Sequence, residues 1–137
     1  MPDSSLTKRA LAKTMKKLMA QYPFAKISVG EICEACGMSR KSFYYHFRDK
    51  YDLVNWIFDT EFIEVIQKGG YKNGFGILGG MCRYFYEEQG FYRAALAVEG
   101  QNSFRDHFTE VITPVMYSIA QELFSNREDE EFFSVFF

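Results

Sequence analysis

Arg40, Lys41 and Ser42, followed by Tyr44, Tyr45 and His46, crowd two cations, three hydroxyls and an imidazole into one short stretch. Arg and Lys can donate to guanine O6 and N7, and a serine hydroxyl suits either base. Tyrosine and histidine tips can hold phosphate oxygens. Phe43 and Phe47 lie four residues apart and are placed to pack inward, which leaves the polar residues facing a groove. This is the chemistry of reading a duplex.

Other spacings hint at chemistry but lack the setting it needs. Cys33-Glu-Ala-Cys36 is a C-x-x-C. A zinc site would require a second ligand pair, and a redox site a strand before the helix, so both thiols are expected in the core. Cys82 is expected there too. Gly74-Phe-Gly-Ile-Leu-Gly79 matches G-x-G-x-x-G literally. That fingerprint works only between a strand and a helix. Here it follows the end of a helix and reads as a loop leading into the next one. Asp106, His107 and Glu110 could form an acid-base or metal cluster, but a lone helical histidine is more often at the surface or a satisfied polar contact. No nucleophile-base pair is visible. The chain is expected to be no enzyme, to have no catalytic residue, and to hold no metal or cofactor.

The reading residues need elements to position them. Ser28-Val-Gly-Glu31 has the form of a capping box, opening a short helix in which Ile32, Cys33 and Cys36 face inward. Gly37 supplies a left-handed stop. Ser39 can cap a second helix, from Arg40 to about Phe47. A short helix, a glycine turn and a second helix with a polar leading face make a helix-turn-helix. A first helix runs from Leu6 to Tyr22 and ends at Pro23, with Leu11, Met15, Leu18 and Met19 on its apolar side. Its lysines form a solvated face or give weak phosphate contact. Asp49 can cap a fourth helix, from Lys50 to about Lys68. Beyond a glycine-rich break at Gly69–Gly76 the pattern predicts helices at Ile77–Gln89, Phe91–Val98 and Ser103–Phe124, then a terminal segment from about Glu128. Pro114 is expected to split or kink the long one. Most aromatic positions between Phe75 and Tyr117 are expected in the core.

The chain has 137 residues, 47% of them hydrophobic, and only three cysteines, which excludes a disordered or disulfide-built protein. No apolar run spans a bilayer, and the polar start is no signal peptide, so a cytoplasmic protein without membrane contact is expected. A net charge of −2 hides an asymmetry: residues 1–50 carry +6 and residues 51–137 carry −8. A basic module beside an acidic body suits a polyanionic partner for the first part only.

The stretch from Ile27 to Leu53 closely resembles the DNA-binding domain of the TetR/AcrR family of transcriptional regulators. The matching residues are Ser28, Cys36-Gly37-Met38-Ser39, Tyr44-Tyr45-His46-Phe47 and Lys50. Tyr51–Ile57 and Gly100–Phe104 are similar to the subgroup that regulates dihydroxyacetone kinase operons. The resemblance implies an all-α protein in which a three-helix DNA-binding domain with its helix-turn-helix, residues 1–50, packs on a helical regulatory and dimerisation body, residues 51–137. It implies that Ser28, Arg40, Lys41, Ser42, Tyr44, Tyr45, His46 and Lys50 meet double-stranded DNA. Lys41 departs from the small residue common at its position. A homodimer on a palindromic operator, acting as a ligand-responsive repressor, is the family expectation. Any small-molecule effector would sit among the helices between Gly79 and Phe124. The rival reading is a protein-interaction module or co-regulator that keeps the helix-turn-helix without binding DNA by itself. Relatives usually run longer, so the chain is expected to be shortened at its C-terminus. Its last six residues hold four phenylalanines, expected to dock on the body or a second subunit.

Overall fold

The structure, a computed structural model, describes residues 4–98 and 103–124. Every regular element among them is helical: α1 (Ser4–Gln21), a single 3₁₀ turn (Phe24–Lys26), α2 (Val29–Cys36), α3 (Arg40–His46), α4 (Lys50–Lys68), α5 (Gly74–Glu87), α6 (Gln89–Leu96) and α7 (Phe104–Phe124). The fold is all-α, with an N-terminal helix-turn-helix packed against a helical body.

Helices α1, α2 and α3 pack on one another, and α1 also packs on α4 and α6. Leu11 and Met15 of α1, Ile32 of α2, Phe43 of α3 and Leu53 of α4 are fully buried. Farther along α4, Phe58 is the hub of an aromatic cluster. Its ring lies 5.2 Å from Phe62, 5.4 Å from Phe104, 5.2 Å from Phe108 and 6.1 Å from Tyr92. Helix α4 therefore serves both ends of one continuous core.

A polar link also joins the two parts. Lys16 Nζ of α1 donates to Glu61 Oε1 of α4, and to Glu88 Oε2 at the α5–α6 corner at 3.2 Å. Tyr84 Oη donates to the other Glu61 oxygen at 2.8 Å and also meets the Tyr92 hydroxyl. Burial pushes both phenols far above the usual tyrosine range, so they stay protonated and available as donors. Lys16 thus faces the body, not a solvated or phosphate-facing side of α1.

Several sequence expectations need correction. Helix α7 is continuous through Pro114; a proline forfeits one bond to the residue four before it, and this one is exposed. Helix α5 starts at Gly74 rather than Ile77, because Asn73 Oδ1 accepts from the Gly76 amide and Glu122 Oε1 accepts from the Gly74 amide, both at 2.9 Å. Helix α6 follows almost without a break, starting at Gln89. Cys82 is exposed, not core. It shares the outer side of α5 with Phe75, Gly79 and Tyr86, which are exposed as well, while Gly80 and Met81 face inward. Tyr117 is exposed too. The terminal segment from Glu128, the docking of the phenylalanine-rich tail, and Gly100–Asn102 of the subgroup resemblance lie outside the described residues. Among the described residues no helix is long and apolar enough to cross a membrane.

Candidate nucleic-acid interface

Three side-chain caps set up the reading head. Ser28 Oγ accepts from the Glu31 amide at 3.1 Å and opens α2. Gly37, at φ 69°, turns the chain, and the Met38 amide bonds back to the Cys33 carbonyl at 2.9 Å. Ser39 Oγ then accepts from the Ser42 amide at 3.1 Å and opens α3. Asp49 opens α4 in the same way, accepting from the Asp52 amide at 2.8 Å. Asp52 Oδ2 in turn accepts from the Arg48 amide, one residue before the cap, at 3.0 Å, a bond that no sequence signal announced.

Helix α3 sorts its side chains sharply. Phe43 and Phe47 are 0% and 3% exposed, whereas Tyr44 and Tyr45 are 54% and 83% exposed. An open groove of about 790 Å³ runs along the outer face, lined by Ser39, Lys41, Ser42, Tyr44, Tyr45 and His46 together with Ser4 and Thr7 of α1. His46 Nδ1 lies 3.4 Å from Ser4 Oγ, and its ring meets Tyr45 edge-on at 5.0 Å. Ser4 and Thr7 were not singled out from the sequence, because nothing in their local pattern marks them. Only the fold brings the start of α1 beside the end of α3.

The other expected contacts sit apart from this groove. Arg40 is exposed but leans over α2: a Cβ at position 30 would stand 2.7 Å from Arg40 Nη2. Ser28 is exposed at the leading end of α2. Lys50 is part-buried, donating to the Phe24 carbonyl at 2.7 Å and to the Ile27 carbonyl at 2.9 Å. Its ammonium also lies 4.4 Å from the Phe24 ring centroid. Burial holds its pKa below the usual lysine range, with Glu31 acting the other way. Two of its three donors are therefore committed to backbone.

The other motifs resolve into structural contacts. Cys33 is buried and Cys36 half-buried; burial pushes both thiols up, and their sulfurs donate to the Ser39 and Cys33 carbonyls at 3.6 and 3.7 Å. Gly74, Gly76 and Gly79 belong to the opening turns of α5 rather than to a loop before it, and the Glu122 carboxylate sits on the amide a pyrophosphate would need. His107 Nε2 lies 2.7 Å from Asp59 Oδ1 with its ring edge-on to Phe58, so it ties α7 to α4. Among the described residues no group of three or more His, Cys, Asp or Glu could hold a metal ion.

Residues 10–57 match the family profile described as bacterial regulatory proteins, tetR family. Over these residues the chain is similar to the TetR/AcrR family. Residues 73–137 match a second profile, described as a transcriptional regulator C-terminal region. The chain is 31% identical over 103 residues to the HTH-type dhaKLM operon transcriptional activator DhaS of Lactococcus lactis, covering 72% of this chain and 54% of that protein. It is 34% identical over 57 residues to the HTH-type transcriptional regulator AcrR of Shigella flexneri, covering 42% and 26%. The chain thus spans about half the length of the first of these relatives and a quarter of the second. A solved structure of a dihydroxyacetone kinase operon activator, DhaS, superposes with a TM-score of 0.69 at 25% identity, over 93% of this chain and 69% of that one. TetR-family proteins are regulators rather than enzymes.

Proposed function

We propose that this TetR-family chain reads duplex DNA sequence-specifically as a homodimer on a palindromic operator and acts as a ligand-responsive transcriptional repressor in the cytoplasm. The observation that carries the reading is the division of α3 and its C-cap, where buried Phe43 and Phe47 leave Lys41, Ser42, Tyr44, Tyr45 and His46 along one outer groove. Ser28 and Arg40, which lie outside that groove, add contacts beyond it, and Lys50 supplies a phosphate contact with its remaining donor. Residues 1–50 form the reader, and residues 51–137 join two readers. Recognition helices must sit roughly 34–36 Å apart to enter successive major grooves on one side of B-DNA. An effector among α5, α6 and α7 that favours another spacing lowers affinity by its differential binding to the two states.

A second reading, activation, is favoured by one observation: the relative matched over more of this chain is named as an activator of the dhaKLM operon. Both readings predict binding of the intact chain to a duplex selected from a random pool, with affinity falling steeply as salt rises. Transcription from a promoter carrying that duplex then gives the sign. No binding to any duplex would leave an interaction module that keeps the helix-turn-helix for another purpose.

A further inference from the structure

Arg40 and Lys41 are neighbours in sequence, equally cationic and both exposed, yet the fold sends them to different places. Lys41 lines the groove along α3 with Ser42, Tyr44 and Tyr45, and Arg40 is not among the residues lining it. The Arg40 side chain instead lies flat on α2 at Gly30. A Cβ there would stand 2.7 Å from Nη2 and 3.4 Å from both Cζ and Nε, so the absent side chain of Gly30 leaves room for the guanidinium, whose end a Cβ would push aside. We propose that the two cations divide the work: Lys41 discriminates bases, while Arg40, seated on Gly30, grips the DNA backbone and carries no sequence information.

The geometry supports this division in two ways. Successive residues of a helix point about 100° apart, so when Lys41 faces the floor of the major groove Arg40 faces its wall, where the phosphates run. The guanidinium also reaches back over α2 rather than along the outer face of α3. That suits a planar fork gripping phosphate oxygens at a set register better than one entering the groove to reach guanine. Gly30 thereby becomes a determinant of affinity although it offers no side chain to the DNA.

This inference rests on the DNA-reading proposal, and one set of measurements separates the two. The intact chain is titrated by fluorescence anisotropy against a duplex enriched from a random pool and against a scrambled duplex of equal composition, over a range of salt. Arg40→Ala is expected to weaken both duplexes by the same factor, about tenfold, and to flatten the salt dependence by about 0.9 per protomer. Repeating the selection with Arg40→Ala is expected to return the same sequence. Lys41→Ala is expected to weaken the selected duplex far more than the scrambled one. Gly30→Ala keeps every charge and suits a helix, so its melting temperature should not fall. It should still weaken both duplexes alike, and Arg40→Ala on top of it should cost less than Arg40→Ala alone. If Arg40→Ala erases preference at one base pair and spares the scrambled duplex, Arg40 is a base reader and the division fails. Unchanged affinity in Gly30→Ala would overturn the seat. A wild-type chain that binds neither duplex would instead sink the DNA-reading proposal, and the division with it.

Discussion

Lys50 shows how a residue's type can be legible while its bonds are not. The resemblance marked it as meeting DNA; in the structure its ammonium also ties the 3₁₀ turn to the start of α4 through the Phe24 and Ile27 carbonyls. Those partners lie more than twenty residues away, beyond any local pattern. Lys50→Met should therefore lower stability in urea by about 1–3 kcal/mol, because two part-buried carbonyls lose a charged donor. It should also weaken all duplexes alike. Stability unchanged would show that the tie contributes nothing. The inward pair Phe43 and Phe47 was readable because spacing alone decides it. The cysteines were readable only in part: Cys33 is buried as expected, but Cys82 falls on the outer side of α5. An aromatic disulfide reagent should find one fast-reacting thiol in the native protein, abolished by Cys82→Ser, with Cys33 reacting only on unfolding. A fast phase that survives Cys82→Ser would contradict this.

At the scale of the element, each capping residue chosen from the sequence between Ser28 and Asp49 occupies the cap it was given, since a cap is made within four residues of itself. Ser39→Ala should cost about 0.5–2 kcal/mol and Gly37→Ala about 1–2 kcal/mol, the latter because a Cβ strains a left-handed residue. Thermal melting checks both, and equal stability of wild type and Gly37→Ala would show that the turn relaxes at no cost. Beyond the reading head the bounds were less legible. Gly74 and Gly76 fell in the expected break at Gly69–Gly76, yet they are helical because Asn73 and a carboxylate from Glu122, 48 residues on, satisfy the first amides. Pro114 failed to split α7 for a related reason: packing of α7 on α4, α5 and α6 outweighs one lost bond.

For the whole molecule, sequence composition separated a basic module from an acidic body, but not the seam between them. Lys16 counts toward the +6 of the first 50 residues, yet its charge is answered by Glu61 and Glu88. Arg9 likewise lies 3.9 Å from Glu64. The cations left for a polyanion are fewer than the count suggests. Lys16→Met should lower stability by about 1–2 kcal/mol, a figure discounted because the side chains keep some contact with water. Denaturant titration measures it, and a loss under a few tenths would show the seam to be apolar packing alone. The same seam sets the order in which this sequence can drift. One ammonium answers two acids on different elements, so a lineage that loses Lys16 first is left with carboxylates in want of a counter-charge, while one that loses Glu88 first keeps a neutral pair. Descendants should therefore shed the acid before the base, and the intermediate with both acids and no lysine should be the rarer of the two.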